Sequence, residues 1–303
     1  MLRVVVTGAS GLIGDALCEA LLARGDDVVG LSRDPDRAAK EAPKVNWHRW
    51  DATSERPPQE ALAGADAIVN LIGESLDQRL TNDAKRRILE SREVATRNLV
   101  SALAGMEERP AALVSQSAVG YYGEHGTDEI DESTGPGEDF PARVCQAWET
   151  AAKGGEELGV RVAITRSGPV LTPEGGLLKR LLLPFRLGLG GPLAGGEQYM
   201  PWIHIEDEVG MLTWAIDNEK ARGAINAIAP SPVTNREFAK ALGAVLRRPA
   251  LLPTPRFAIS AALGSELAEA VTVSLRVIPK RALELGYSFQ HPELEPALRD
   301  LLD

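Results

Sequence analysis

The stretch SQSAVGYYGE, residues 115–124, crowds two serines and two tyrosines into ten positions directly after the apolar run AALV. Hydroxyl groups gathered at the end of a strand suit a site that moves protons, and Ser117 and Tyr121 are the candidates for that work. A phenol gives up its proton most readily beside a cation. Yet residues 123–152 contain neither tyrosine nor lysine, and the next lysine is Lys153. The competing reading is two aromatic rings filling a cleft floor, with Tyr122 packed there or set against a substrate.

A second chemical signal lies at the N-terminus. VVVTGASGLIGDAL spaces Gly8, Gly11 and Gly14 as G-x-x-G-x-x-G between a strand and a helix. The first glycine permits a sharp turn, the second lets main chain approach a pyrophosphate, and the third lets helix and strand pack closely. The helix start then offers unpaired N–H groups and partial positive charge to phosphate. Thr7, Ser10, Leu12 and Ile13 belong to the same turn and are expected at the cofactor. At the end of the second strand stand Ser32, Arg33 and Asp34. A carboxylate there favours the ribose hydroxyl of NAD(H), whereas an arginine favours the 2′-phosphate of NADP(H). Ser32 occupies the strand-end position and Arg33 follows, so NADP(H) is favoured over NAD(H); a solvated surface charge is the rival explanation of Arg33. Asp51, closing the third strand, is expected at the adenine edge.

These groups need a scaffold, and the first half of the chain supplies one. LRVVVTG, DDVVGLSR, VNWHRWD, DAIVNLIG, AALVSQSA and VRVAITRSG read as strands. Between them DALCEALLARG, residues 82–103 and CQAWETAAKGGEEL read as helices, with Gly25 ending the first. Such alternation builds an α/β fold, a doubly wound parallel sheet with helices on both faces. After Gly168 the pattern loosens into glycine- and proline-rich sequence with a short amphipathic helix. VGMLTWAID is expected as a helix, GAINAIAP as a strand and TNREFAKALGAVL as a capped helix, with mixed helical structure from Pro253 onward. The expected division is a nucleotide-binding domain of residues 1–168 plus about 202–229, and a smaller C-terminal substrate lobe of about 169–201 plus 230–303.

Bulk properties narrow the partners. A net charge of −10 argues against binding a nucleic-acid backbone, which needs a positive face. Cys18 and Cys145 both fall in expected helices, as reduced structural thiols. His48, His125, His204 and His291 are scattered without metal-ligand spacing, so no metal is expected. No apolar run approaches a membrane span, and no secretion signal is visible, which makes the cytoplasm the expected compartment. A monomer or homodimer acting on a small molecule fits this composition.

TGASGLIG, NLIGES (70–75), SQSAVGYYG and WIHIED (202–207) together resemble the extended short-chain dehydrogenase/reductase superfamily, in its sugar-nucleotide epimerase and dehydratase branch. LTNDAKRRILESR, GYYGEHG, VCQAWE, RSGPVL and SLRVIPKRALELGYSF narrow the resemblance to an atypical NAD(P)-dependent epimerase/dehydratase-like subgroup with its own C-terminal domain. The resemblance implies a Rossmann domain with Leu71, Ile72, Gly73 and Glu74 at the cofactor. Arg166, ending the sixth strand, is expected to fix the loop SGPVL beside it, with a structural salt bridge as the equal alternative. Ser117 matches the superfamily's serine. Its Tyr-x-x-x-Lys pair is missing, because Pro141 and Cys145 fall at those positions when the helix is registered on Glu149. A positioned general acid contributes about 10²–10⁴ in rate, so another group supplies the proton or reduction is not the main activity. Lys179, Arg180 and Arg186 stand where related enzymes hold a substrate diphosphate. His204 and Asp207 lie where the chain returns to the cleft; a hydrogen-bonded histidine that holds the loop is favoured over an acid–base role, and His204 is also a candidate substrate contact. Lys85, Arg86 and Arg87, with Glu74 and Ser75, are further candidates near the nicotinamide or substrate. Two functions follow: an NADP(H)-dependent oxidoreductase or epimerase on a small or nucleotide-linked, sugar-like substrate, or a non-catalytic NADP(H) sensor.

Overall fold

RVVVT forms β1 (Arg3–Thr7), a strand buried along nearly its whole length because helices cover both of its faces. The computed structural model describes residues 1–76, 78–257, 260, 264, 268 and 272–303. It places β1 in an all-parallel sheet with β2 (Asp27–Ser32), β3 (Asn46–Arg49), β4 (Ala67–Asn70), β5 (Ala112–Ala118), β7 (Arg161–Ser167) and β10 (Gly223–Ala227). The spatial order is β3-β2-β1-β4-β5-β7-β10. Two short parallel pairs lie outside it: β6 (Glu129–Ile130) with β11 (Arg276–Val277), and β8 (Val170–Leu171) with β9 (Ile203–His204). The doubly wound architecture expected from the strand–helix alternation is borne out. The winding reverses between β1 and β4, which opens a crevice at their carboxyl ends.

Side chains alternate across the sheet and so divide the core. Val4 and Val6 join Leu17 and Leu21 of α1 (Leu12–Arg24) and Met211 and Leu212 of α7 (Ile205–Asp217) on one face. Val5 and Ile68 join Leu99 and Leu103 of α4 (Asn82–Ala104) and Ala152 of α5 (Phe140–Lys153) on the other. The short helices α2 (Pro35–Glu41) and α3 (Gln59–Leu62) follow β2 and β3. A third apolar cluster unites Leu178 and Phe185 of α6 (Gly176–Arg186), Phe238 and Leu242 of α8 (Asn235–Val245), and Leu294 and Leu298 of the helix Leu294–Leu302.

Capping decides where several helices begin. Thr81 Oγ1 accepts the Ala84 amide at 3.2 Å, Asp139 accepts that of Ala142 at 2.8 Å, and Thr234 and Glu237 form a reciprocal capping box. His204 Nδ1 accepts the Glu206 amide at 3.1 Å, so α7 begins four residues before the expected Val209. Asp139 likewise starts α5 ahead of the expected Cys145. The helical expectation beyond Pro253 falls in part outside the described residues; later come the short helix Lys280–Glu284 and the helix Leu294–Leu302. Among the described residues no helix is long and apolar enough to cross a membrane.

Candidate functional site

The crevice at the switch point holds a cavity of about 470 Å³, running from the β2 end to the segment after β4. Gly8, Ser10 and Gly11 form its middle; Ser32, Arg33, Asp34 and Arg37 lie at one end, with Asp51 nearby; Leu71, Ile72, Gly73, Glu74 and Ser91 line the other. Glycine is demanded by contact here. Gly8 has φ +67°, and a Cβ on Gly14 would stand 2.2 Å from the Gly8 carbonyl oxygen. Gly11 caps α1 without any side-chain bond, which leaves first-turn amides of the helix facing the crevice. A narrow slot with free main-chain donors and a positive helix end is the donor set a dinucleotide pyrophosphate needs. Leu12 lines the adjoining space beside Ser10 and Gly11.

Other turn residues act from beneath. Thr7 is fully buried; its Oγ1 donates to Asn70 Oδ1 at 2.7 Å and accepts the Leu71 amide at 3.2 Å. Asn70 Nδ2 donates in turn to Thr96 and Ser115. This polar knot fixes the 71–74 segment against β1. Ile13 and Gly14 lie within α1 and do not line the cavity. Asp51 accepts from Thr53 and Ser54 while lining it, so its carboxylate also shapes the turn after β3.

Beyond β4 the hydroxyls of the SQSAVGYYG stretch enter a buried ionic network. Ser117 Oγ donates to Glu149 Oε1 at 2.8 Å. Arg166 grips the same carboxylate with Nε at 2.8 Å and Nη2 at 2.9 Å, and both side chains are under 5% exposed. Arg166 Nη1 also donates to the Tyr122 hydroxyl at 3.0 Å, which donates to Asn226 Oδ1 at 2.6 Å. Burial pushes the Tyr122 phenol up to about 12, so this tyrosine braces the network and does not exchange protons near neutrality. Tyr121 is different. Its ring stacks on the Arg166 guanidinium at 3.4 Å, and its hydroxyl makes no hydrogen bond among the described residues. Cys145, at the expected lysine position, is buried with its sulfur 3.6 Å from the Ala118 carbonyl; burial, then the Glu149 charge, push its thiol up to about 11. Pro141 lies against Gly120. Where the Tyr–Lys pair is absent, the structure brings together Ser117, Glu149 and Arg166, with the Tyr121 ring on the Arg166 guanidinium.

Of the residues expected at a substrate, Tyr122 is held in the buried network, Lys179 and Arg186 lie on α6, and His204 caps α7. Lys179 Nζ donates to the Glu174 carbonyl on an exposed face, and the Arg186 carbonyl accepts from Arg248. Glu74 takes Arg87 at 3.5 Å, while Arg86 pairs with Asp83 on the wet side of α4. Asp207 is wholly buried and accepts the amides of Gln290 and His291, fastening the C-terminal segment to α7.

Folding gathers His204, Glu206, His291 and Asp300, whose donor atoms lie within 4.8 Å of one another, from positions far apart in sequence. His204 Nδ1 caps α7 as an acceptor, so its neutral ring carries the proton on Nε2, 3.3 Å from Asp300. A cation would have to displace that proton or break the cap. Burial, then the stacked His291 ring at 3.7 Å, lower the His204 pKa and keep this neutral form. The cluster reads as a clasp for the C-terminal helix.

The sequence profile described as "NAD dependent epimerase/dehydratase family" matches residues 4–228. The chain belongs to the NAD-dependent epimerase/dehydratase family. Residues 254–301 match a "Domain of unknown function (DUF1731)", in keeping with the subgroup-specific C-terminal part. The epimerase family protein SDR39U1 of Bos taurus is 39% identical over 99% of this chain and 100% of its own length. The crystal structure of human epimerase family protein SDR39U1 (isoform 2) with NADPH has a TM-score of 0.88 and 37% identity, covering 99% of each chain. A nucleoside-diphosphate sugar epimerase from Corynebacterium glutamicum gives 0.79 and 31%, over 99% of this chain and 58% of that one.

Within this epimerase/dehydratase scaffold, sequence reasoning passed over four groups at the site. Arg37, in α2 and four residues after Arg33, also lines the cleft. Asn226, which accepts from the Tyr122 hydroxyl, and Arg92, which packs on Gly73, carry no signal in the sequence, because only the fold assigns the neighbours of their elements. Glu149 served only to register a helix, yet it is the buried anion of the network.

Proposed function

We propose that the protein binds NADP(H) in the switch-point cleft and exchanges hydride with a small or nucleotide-linked, sugar-like substrate. The observation that carries this reading is the glycine cradle joined to a pair of cations, Arg33 and Arg37, at the adenosine end. Arg33 offers a forked donor to a 2′-phosphate, and Arg37, whose Nε is paired with Glu41 at 3.3 Å, offers its terminal nitrogens; Asp34 is occupied in capping α2 through the Arg37 amide at 3.1 Å and is less available to a ribose hydroxyl. The crystal structure of the human relative with NADPH supports this preference. When bound, the nicotinamide ring gives or takes the hydride. The chain's own part is to hold the ring beside Ser117 and Tyr121 and to move the matching proton. Ser117 has its proton committed to Glu149, so the unbonded Tyr121 hydroxyl is the favoured donor.

A second reading, a non-catalytic NADP(H) sensor, draws support from the locked Ser117–Glu149–Arg166 network, which resembles a brace more than a relay. Calorimetry on protein stripped of nucleotide tests the shared premise: NADPH binds and NADH binds more weakly. Arg33→Ala removes a charge-assisted contact and lowers NADPH affinity by roughly tenfold or more while sparing NADH. Equal affinities for the two dinucleotides, unaffected by the substitution, refute the assignment. Turnover against sugar nucleotides and small carbonyls then separates enzyme from sensor.

A further inference from the structure

Arg33 and Arg37 line the adenosine end of the cleft, and at the opposite end a further cation, Arg92, stands directly behind the lining residue Gly73. Arg92 of α4 is mostly buried beside Gly73. A Cβ built on Gly73 would lie 2.8 Å from Arg92 Cζ and 2.9 Å from Nη2, so the Gly73 backbone packs directly on the guanidinium. Nη1 is tethered twice, to the carbonyls of Glu74 at 3.0 Å and of Ile88 at 3.2 Å. The plane lies over the Trp148 ring at 5.1 Å. Both hydrogen bonds thus leave from one nitrogen, and among the described residues Nε and Nη2 make none. Burial lowers its pKa, with the Cys145 and Glu74 charges acting in the opposite direction.

The position has meaning in this topology. Residues after β4, with β5 and α5, form the half of a doubly wound fold that receives the nicotinamide nucleotide, as β1–β3 receive the adenosine. Gly73 and Ser91 mark that half of the cavity, remote from Arg33. Arg92 is also close enough to Cys145 for each to perturb the other electrostatically, and Cys145 stands where a lysine is expected. A fixed guanidinium with two uncommitted N–H edges at this point suits an oxygen-rich, uncharged or anionic group.

We propose that Arg92 is the cofactor-binding cation of the nicotinamide end, donating from Nε or Nη2 to oxygens of the nicotinamide riboside half. It brings from α4 the charge that α5 does not carry. This rests on the NADP(H) reading above and adds a direction to it: Arg92 senses one half of the dinucleotide only.

The test uses two ligands on the full-length chain by calorimetry, NADPH and the adenosine-half fragment 2′,5′-ADP, which lacks the nicotinamide riboside. Arg92→Gln is expected to weaken NADPH roughly tenfold or more while changing 2′,5′-ADP less than twofold. Gly73→Ala, whose new methyl pushes the guanidinium aside, is expected to give the same one-sided loss. The fragment serves as the folding control for both variants. Unchanged NADPH affinity in Arg92→Gln overturns the proposal. So does an equal loss for both ligands, which marks Arg92 as a loop brace alone. Failure of the unsubstituted protein to bind either ligand refutes the NADP(H) reading itself, and this proposal with it; binding of both ligands with no selective loss refutes only the role of Arg92.

Discussion

Glu208 offers the sharpest quantitative test of the packing beneath the site. It sits in the first turn of α7, fully buried, with Oε1 accepting from Ser167 Oγ at 2.7 Å and Gln116 Nε2 at 3.2 Å. Its Oε2 has no partner among the described residues. Burial outweighs these two bonds and pushes the carboxyl up from 4.5 to about 7. A raised carboxyl means the folded state holds its proton longer than the unfolded chain does. Below about pH 4.5 both states are protonated and the fold suffers nothing; the destabilisation grows as pH rises and is complete above about 7. At 1.36 kcal/mol per unit, the displacement corresponds to about 3 kcal/mol. Glu208→Gln keeps the shape and removes the titration. Urea unfolding at pH 5 and pH 8 reads the effect directly. The variant is expected to exceed the parent by less than about 1 kcal/mol at the lower pH and by about 3 kcal/mol at the higher, with Tm following by several degrees. An identical difference at both pH values, or a loss at pH 8, refutes the assignment of Glu208 as a buried, uncompensated carboxyl.

Three further outcomes follow from the site. Glu149→Gln leaves Arg166 buried beside a neutral partner and is expected to cost about 3–5 kcal/mol, measured by chemical denaturation; a change below about 1 kcal/mol contradicts the network's electrostatic role. Gly14→Ala forces a methyl into the Gly8 carbonyl, so α1 moves outward: a loss of about 1–3 kcal/mol and at least tenfold weaker NADPH binding are expected, and normal binding with normal Tm counts against the cradle. Tyr121→Phe is expected to slow NADPH-dependent turnover by about 10²–10⁴ while leaving NADPH affinity unchanged; an unaltered rate removes Tyr121 from the chemistry.

Much of this molecule is visible in one dimension. The strand–helix alternation, the glycine turn and the capped starts of α4 and α8 are local, depending on residues a few positions apart, and all were readable. So was the loss of the Tyr–Lys pair, since absence from a stretch of sequence needs no coordinates. The residues that line the cleft from the glycine turn and the 71–74 segment were legible for the same reason, because each group follows a recognisable strand.

What the sequence left open has a common physical origin. Ser117 looked like a reactive hydroxyl until Glu149, on the next helix, and Arg166, on the next strand, were seen to claim it. Arg92 and Asn226 carry no sequence mark, because their importance comes from helices and strands packing at distances set by the whole core. His204 and His291 are far apart along the chain and stacked in space. Sequence alone determined the scaffold and its glycine turn, which rest on backbone geometry encoded residue by residue. Only the tertiary structure decided which hydroxyls stay free and which charges face the cleft, because ionic partners are chosen by burial and burial is a property of the assembled sheet.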